Sequence, residues 1–237
     1  MLTKDIDVFI LCGGRGRRLR TVTRSGPKPM AKVGHTHFLD LILNYFIAFG
    51  FHRFILGTGY KAGVIEGYYH KNRRPGINII FSHEDKPLDT GGALKKAKEL
   101  IRSNPFFVLN GDSLSKFNPQ AFLDFHRRNN SRISILLKRV VTAEDYGKIQ
   151  LGSRMRIVSF SEKQTKARNC FVNAGVYLFD KGVFKLMPKK QKFSLEKDFF
   201  PKLAGKEIFG YPFRGFFIDI GTPERHKRAN RYFKANP

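Results

Sequence analysis

The chain has 237 residues, of which 41% are hydrophobic and 27% charged, a composition that excludes disordered, collagen-like and low-complexity proteins. Its 44 Lys and Arg exceed its 19 Asp and Glu by 25, which favours a polyanionic partner such as nucleic acid, an acidic membrane surface or phosphorylated small molecules. Two cysteines are too few for a disulfide framework and no apolar run matches a signal or membrane-spanning segment, so we expect a cytoplasmic protein.

The first 130 residues alternate short apolar runs with stretches of helical spacing. Buried strands are predicted at 8–11, 54–56, 77–81 and 106–109. Apolar residues from Phe38 to Phe49 recur at helical spacing, and further helices are expected at 91–101 and 119–129. This alternation predicts right-handed β-α-β units around a mainly parallel sheet that is covered on both faces.

After Arg132 the pattern changes to short strand-like runs separated by turns. The runs at 133–137, 149–151, 156–160 and 174–179 predict antiparallel pairing or strands added at a sheet edge. A short helix is expected at 193–203, a strand at 216–220 and a terminal helix at 223–233, with Pro223 in its first turn. We therefore expect one α/β domain, 1–237, with a first half of about 1–130 and a β-rich second half of about 131–237.

A loop rich in glycine and arginine follows the first predicted strand. After Leu11 the chain reads Cys-Gly-Gly-Arg-Gly-Arg-Arg-Leu, and no acidic residue occurs between Val8 and Leu39. Such glycines let backbone N–H groups approach a phosphate, and arginines add forked donors. The spacing fits neither a dinucleotide fingerprint nor a P-loop, so it indicates another class of phosphate site. Pro27 and Pro29 would hold Lys28 nearby as a second fixed cation.

Acidic residues follow three other predicted strands. Asp112 and Asp219 each come at a strand end, where they could share one Mg²⁺, although a lone Asp there is also a common cap or turn residue. Glu84 precedes Thr90, which we expect to cap a helix beginning at Gly91, where a Gly-Gly start would let a flat ring lie on the backbone. The seven histidines lack metal-ligand spacing and are interpreted as surface or loop residues.

These motifs resemble those of a known family. The strings GGRGRRL at 13–19 and PKPM at 27–30, with Thr23 between them, resemble the signature of sugar-1-phosphate nucleotidyltransferases. The strings NGD at 110–112 and DIGTPE at 219–224 follow in the family's order, and the resemblance covers nearly the whole chain. It implies a Rossmann-like three-layer sandwich with a mixed, mainly parallel sheet of the nucleotide-diphospho-sugar transferase type. The first half would bind the nucleotide and the β-rich second half the sugar.

The resemblance also implies roles for individual residues. Arg18, Lys28 and Asp112 would be catalytic, and Asp112 and Asp219 would bind Mg²⁺. The expected nucleotide-binding residues are Leu11, Gly13, Gly14, Gly16, Glu84, Thr90, Gly91 and Gly92. The expected sugar-phosphate-binding residues are Tyr146, Gly147, Glu162, Lys163, Asn173 and Gly175. Two departures occur: Gln164 stands where many relatives have proline, and Arg17 replaces a commonly small residue.

The motifs at 87–93, 145–147, 173–177 and 193–199 most closely resemble D-glycero-D-manno-heptose 1-phosphate guanylyltransferases. This resemblance implies GTP and a heptose 1-phosphate as substrates and an NDP-sugar for surface polysaccharide synthesis as product. N-acetylmuramate 1-phosphate uridylyltransferases and mannose 1-phosphate guanylyltransferases are alternatives.

A basic nucleic-acid-binding protein is the alternative from a different class, because the 24 Phe and 8 Tyr offer possible stacking platforms. Most Phe, however, lie in apolar periodic runs, where core packing accounts for them. We therefore expect no specific nucleic acid partner, no membrane span, and a monomer or homodimer.

Overall fold

A computed structural model describes residues 3–19, 22, 26–142, 147–161 and 168–236. The strands are β1 Asp7–Leu11, β2 Lys32–Val33, β3 Thr36–His37, β4 Arg53–Thr58, β5 Asn78–His83, β6 Phe106–Asn110, β7 Ser113–Ser115, β8 Ile133–Thr142, β9 Lys148–Leu151, β10 Ile157–Ser161, β11 Arg168–Phe179, β12 Ile208–Phe213 and β13 Phe217–Asp219. The helices are α1 Phe38–Ala48, α2 Ala62–Lys71, α3 Asp89–Lys96, α4 Pro119–Arg128, α5 Phe200–Leu203 and α6 Pro223–Ala235. Short 3₁₀ turns include Arg17–Leu19, Lys28–Met30 and Ala97–Leu100, and Leu195–Phe199 forms a π-helical turn.

Nine strands form one continuous sheet. Parallel pairing joins β5, β4, β1 and β6 in that order. Strand β11 pairs antiparallel with β6, β8 and β9, while β12 lies parallel to β8 and β10 lies antiparallel to β9. These pairings make β10 and β11 run opposite to the other strands of the sheet. The predicted mixed, mainly parallel sheet is therefore confirmed.

Helices and turns cover both faces of this sheet. Val8 and Ile10 contribute to one core cluster together with residues of α1, α2, α4 and α6, whereas Phe9 contributes to a second cluster with α3, the π-helical turn and α5. Successive side chains of a strand point to opposite faces, so one run of apolar residues in β1 serves both clusters. The result is the predicted three-layer sandwich. Within the described ranges, no helix is long and apolar enough to cross a membrane.

Two expectations about local structure are wrong. Helix α3 begins at Asp89 rather than Gly91, and Leu88, not Thr90, occupies its N-cap position. The Thr90 hydroxyl instead bonds to Leu195 and Glu196, which lie far away in sequence. His126 is not a surface residue: it is buried in α4 with Nδ1 2.9 Å from Ser134 Oγ, and burial lowers its pKa to about 4.

Candidate active site

An open cavity of about 730 Å³ lies beyond the carboxyl ends of β1 and β6. Parallel α/β sheets bind their ligands at this end, because loops from several strands meet there. Four segments contribute to its lining: residues 11–16 at the end of β1, residues 28 and 29, residues 110–112 at the end of β6, and, around the start of α3, Glu84, Pro87, Asp89, Thr90 and Ala93. A fifth group comes from the distant segment 192–197.

The glycine loop forms one wall of the cavity. Leu11, Gly13, Gly14 and Gly16, all predicted nucleotide-binding residues, line it. Gly16 has a φ of 54°, a left-handed conformation that L side chains rarely adopt, and a Cβ there would come within 2.9 Å of Lys28 Cβ. The loop therefore lies directly against the aliphatic stem of Lys28, and the absence of a side chain at Gly16 allows this close contact.

Lys28 and Asp112 form an ion pair in the cavity. Pro27 and Pro29 flank Lys28 in its 3₁₀ turn, and Lys28 Nζ lies 2.5 Å from Asp112 Oδ2. Burial by itself raises the pKa of Asp112, but the charge and hydrogen bond of Lys28, a hydrogen bond from Ser113 Oγ and the charge of Arg18 lower it to below its usual range. Asp112 is therefore a carboxylate at neutral pH.

Asp219 lies beside Asp112 through the pairing of β13 with β7. Asp219 is opposite Ser113 in that pairing, and Ile220 N donates to the Asp112 carbonyl at 3.0 Å. The buried Asp219 side chain accepts hydrogen bonds from Gly221 N at 2.8 Å and from Arg225 Nη1 at 3.1 Å. Asp219 does not line the cavity, whereas Asp112 does.

Two carboxylates are what Mg²⁺ takes from a protein when substrate phosphates complete its coordination. Among the residues that the structure describes, no group of three or more His, Cys, Asp and Glu could hold a metal by itself. Asp112 and Asp219 are the two carboxylates that could hold a magnesium ion arriving with a phosphate substrate, and in this structure they pair with Lys28 and Arg225.

Arg18 lies at the edge of the site. Its side chain is exposed on the turn Arg17–Leu19 and does not line the cavity. Its charge nevertheless contributes to the lowered pKa of Asp112, so it acts on the same region electrostatically. Arg15, to which we had assigned no role, does line the cavity.

A second wall of the cavity carries negative charge. Glu84 lines it beside Gly13, and its Oε2 accepts a hydrogen bond from Leu88 N at 2.9 Å. Burial raises the pKa of Glu84 in spite of that hydrogen bond, and the charge of Asp89 adds to the rise. Asp89 also lines the cavity and has a left-handed φ of 58°. This wall offers hydrogen-bond acceptors, opposite in character to the cationic wall.

Gly91 and Gly92 do not line the cavity. Their N–H groups donate to the Phe193 carbonyl at 2.9 and 3.2 Å, and a Cβ on Gly91 would collide with the Phe193 ring. A Cβ on Gly92 would collide with the Gln191 carbonyl oxygen. The backbone surface that we expected to carry a flat ring is occupied by segment 191–193, while Thr90 does face the cavity.

Two of the expected sugar-side residues, Asn173 and Gly175, lie in β11. A register shift separates Asn173 from Tyr177 in the pairing of β11 with β8, and within it Gly175 has a φ of 72° and packs on Asn110. Asn110 lines the cavity, but Asn173 and Gly175 do not. Gly147 lies next to Ser161 at the open end of the β9–β10 hairpin. Tyr146, Glu162 and Lys163 lie outside the described residues.

The distant segment contributes three cavity residues that are not predicted from the sequence: Lys192, Ser194 and Lys197. Ser194 and Lys197 lie in the motif at 193–199 and Lys192 directly precedes it, yet no local pattern shows that they face the cavity. Their position depends on the packing of segment 191–193 against Gly91 and Gly92, a contact between residues about a hundred positions apart.

Comparisons with known proteins find similarity over nearly the whole chain. The family model for nucleotidyl transferases matches residues 7–235. A D-glycero-alpha-D-manno-heptose 1-phosphate guanylyltransferase of Aneurinibacillus thermoaerophilus is 35% identical over 95% of this chain and 97% of its own length. A mannose-1-phosphate guanylyltransferase of Mycobacterium tuberculosis is 34% identical over 97% of this chain, which spans 65% of that relative. The crystal structure of HddC from Yersinia pseudotuberculosis in complex with GMP-PN matches with a TM-score of 0.86 and 33% identity, covering 97% of this chain and 100% of that one.

Proposed function

The chain belongs to the nucleotidyl transferase family, and we propose that it transfers a guanylyl group from GTP to a sugar 1-phosphate, releasing pyrophosphate and forming a GDP-sugar. The proposed acceptor is D-glycero-α-D-manno-heptose 1-phosphate, with mannose 1-phosphate as the second candidate. One observation carries the proposal: a single cavity places Lys28 and a glycine loop on one wall and the Glu84 carboxylate on another. Phosphates suit the first wall and a base with adjacent donors suits the second.

The choice of base rests on hydrogen-bond chemistry. Guanine presents two adjacent N–H donors on its Watson–Crick edge, which match the two oxygens of one carboxylate, whereas uracil presents one. Glu84 supplies such a carboxylate at the cavity wall. The guanylyltransferase activities of the similar proteins, and the GMP-PN in the HddC complex, support the same choice.

The residues of the cavity suit this reaction without a general base. A phosphate monoester has a second pKa of about 6, so the attacking phosphate oxygen is already largely ionised at neutral pH. That oxygen bonds to the α-phosphorus as the bond from phosphorus to the pyrophosphate oxygen breaks, and pyrophosphate leaves with the electron pair. Repulsion between two anions opposes the approach. Lys28, Arg18 and the N–H groups of the glycine loop supply fixed positive charge and alignment against it.

We propose that Asp112 and Asp219 hold Mg²⁺ together with the substrate phosphates. Bound there, the ion would neutralise charge on the phosphate oxygens. EDTA should abolish turnover and added Mg²⁺ should restore it. Asp112→Asn should lose far more kcat than stability. Full activity of Asp112→Asn at saturating Mg²⁺ would show that this carboxylate is not a ligand.

A substrate matrix tests the proposed reaction. Each of the four NTPs is paired with the 1-phosphates of heptose, mannose, glucose and N-acetylmuramate, and pyrophosphate release is measured, with Asp112→Asn as the background control. We expect the highest kcat/KM for GTP with D-glycero-α-D-manno-heptose 1-phosphate. A preference for mannose 1-phosphate with GTP would change the proposed acceptor to mannose 1-phosphate and leave the proposed guanylyl transfer intact. A preference for UTP with N-acetylmuramate 1-phosphate would overturn the proposal.

A further inference from the structure

Glu196 connects residues from the two sides of the site. Its Oε2 accepts hydrogen bonds from Thr90 Oγ1 at 2.7 Å and from Ser194 Oγ at 2.9 Å. Its Oε1 accepts one from the Tyr177 hydroxyl at 3.2 Å, and that hydroxyl in turn accepts one from Asn173 Nδ2 at 2.8 Å. One carboxylate on the π-helical turn thus joins the start of α3 to the middle of β11.

The direction of each hydrogen bond is fixed by its neighbours. Thr90 Oγ1 accepts a hydrogen bond from Leu195 N at 2.8 Å, so its single O–H proton is available for Glu196. The Tyr177 hydroxyl accepts from Asn173, so its single proton is also directed to Glu196. Both oxygens of Glu196 therefore act as acceptors in this network.

The centre of this network is shielded from water. Tyr177 is 0% exposed, and burial together with the charge of Glu196 keeps its pKa well above the usual range, against hydrogen bonds from Asn173 and Asn110. Tyr177 is consequently a permanent donor. Within the described part of the chain, no ion pair links Glu196 to a basic side chain, so neutral donors alone hold the carboxylate.

The two ends of the network differ in predicted role. Thr90 lines the cavity on the nucleotide wall, and Asn173 is a predicted sugar-phosphate contact. Glu196 itself does not line the cavity, although its hydrogen-bond partner Ser194 does. It contacts Thr90 and Ser194, which line the cavity, and reaches Asn173, which does not, only through the buried Tyr177.

We propose that Glu196 is a positioning residue that couples nucleotide binding to sugar-phosphate binding, by fixing Thr90 and, through Tyr177, Asn173 in mutually dependent positions. The inference rests on the proposed function of the cavity. A change at either end would release Glu196 and disturb the residue at the other end. Loss of the hydrogen bond from Thr90 to Glu196 should then weaken sugar-phosphate binding, and loss of the one from Tyr177 should weaken nucleotide binding.

Three substitutions test the coupling. Thr90→Val removes the hydroxyl at similar volume, Tyr177→Phe removes only the phenolic oxygen, and Glu196→Gln replaces one acceptor by a donor. KM for both substrates and kcat are measured with the pair that the wild type turns over best. We expect Thr90→Val to raise KM for the sugar 1-phosphate, and Tyr177→Phe to raise KM for the NTP, each about fivefold or more. Thr90→Ser keeps the hydroxyl and should restore near wild-type values.

A double-mutant cycle separates coupling from two independent defects. If both residues act through Glu196, the double variant Thr90→Val/Tyr177→Phe should have KM values little higher than those of the more impaired single variant. Glu196→Gln should behave like this double variant. Lys190→Ala is the matched control, because Lys190 is exposed on the neighbouring segment and pairs only with Asp198 among the described residues. It should change neither KM.

If the fold-changes in KM of the two single variants multiply in the double variant, the coupling is overturned. A Thr90→Val enzyme in which only KM for the NTP changes would also overturn it. The same holds for a Thr90→Val enzyme whose melting temperature falls while KM for both substrates stays unchanged. These outcomes are independent of the proposed function, because every comparison is made with the substrate pair chosen by the wild type. A wild type without any nucleotidyl transfer would instead refute the function on which the coupling rests.

Discussion

At the scale of single residues, Lys28 and Asp112 balance each other's charge. The stem of Lys28 packs beside Gly16, and its side chain is only 11% exposed, which confines the ammonium group to the mouth of the glycine loop. An arriving triphosphate brings several negative charges to that position. The ammonium group would then face both the phosphates and Asp112, so its position matters more than its charge alone.

We expect Lys28→Met to lower kcat by about 10²-fold, as for removal of one preorganised electrostatic group. The substitution keeps the apolar stem and removes the charge, so the fold should survive. Lys32→Met is the matched control, because Lys32 is exposed on β2 nearby and is not part of the cavity. Steady-state kinetics at saturating GTP measure the effect. Equal losses in the two variants would mean that diffuse positive charge, rather than a placed lysine, drives the reaction.

Glu84 should make GTP binding depend on pH. Its raised pKa means that it takes up a proton at higher pH than an ordinary glutamate, whose pKa is about 4.3. A protonated carboxyl group cannot accept from both guanine donors. The affinity for GTP should therefore fall as the pH is lowered toward and through the pKa of Glu84.

Calorimetric titration of GTP between about pH 7 and the ordinary glutamate range near 4.3 measures this dependence. We expect Glu84→Gln to weaken GTP binding about tenfold at neutral pH and to lose the Glu84-dependent part of the pH effect. Asp85→Asn is the control, since Asp85 is exposed next to Glu84 and pairs with Lys96. An identical pH profile for wild type and Glu84→Gln would remove Glu84 from base recognition.

At the scale of elements, the contact between α3 and segment 191–193 carries three cavity residues into place. Two consecutive glycines at 91 and 92 allow this contact, because any side chain there would occupy the space of the Phe193 ring or the Gln191 carbonyl. The π-helical turn follows directly and presents Glu196 to Thr90. Irregular helical turns of this kind are frequent at functional sites.

Gly91→Ala should destabilise the protein by about 1–3 kcal/mol through overpacking against Phe193. Gly67→Ala is the control: Gly67 lies inside α2 with no atom within 4 Å of a new Cβ, so alanine there should stabilise by about 0.5–1 kcal/mol. Denaturant unfolding of both variants measures the difference. A neutral Gly91→Ala would mean that the Phe193 ring moves aside without cost.

The fold could be predicted where periodicity is strong. The four parallel strands of the first half and helices α1, α4 and α6 were all expected within a few residues. Helix α2 was not, because its sequence AGVIEGYYHK contains two glycines and little amphipathic signal. Strand β12 was missed because it contains Gly210 and Pro212, which suit an edge strand; it pairs with β8 along its length and makes only an isolated bridge from Phe209 to Arg156 on the other side. Strand β7 has three residues, too few for any periodicity.

At the scale of the whole molecule, some parts of the candidate site could be predicted from local sequence and others could not. The glycine loop, Lys28, Asp112 and Glu84 are local features that follow directly from strand ends, and the structure brings them together in one cavity. The cationic residues Lys192 and Lys197 reach it only through long-range packing, which local spacing does not encode. The network around Glu196 likewise joins residues 90, 173, 177 and 196 and has no signature in the sequence.

The net charge of +25 is spread far beyond the cavity. Its outlying clusters include residues 71–74, 127–128, 189–191 and 225–234. We therefore expect weak, sequence-independent RNA binding that disappears as salt is raised, because counterion release dominates such binding. Fluorescence anisotropy with single-stranded RNA, from low salt to about 0.3 M, tests this. Tight binding at the upper concentration would favour the nucleic-acid alternative over the enzyme.

Strand β11 ties the two halves of the chain into one sheet, since it pairs with β6 on one side and with β8 on the other. A polypeptide cut near residue 130 would leave Val108 and Leu109 on an open strand edge, ready to pair with other chains. An exchange of one half between relatives would therefore have to preserve the pairing of β11 with β6 residue by residue. Point substitutions around the cavity leave that pairing intact, so they are the simpler route by which a lineage changes what the cavity binds.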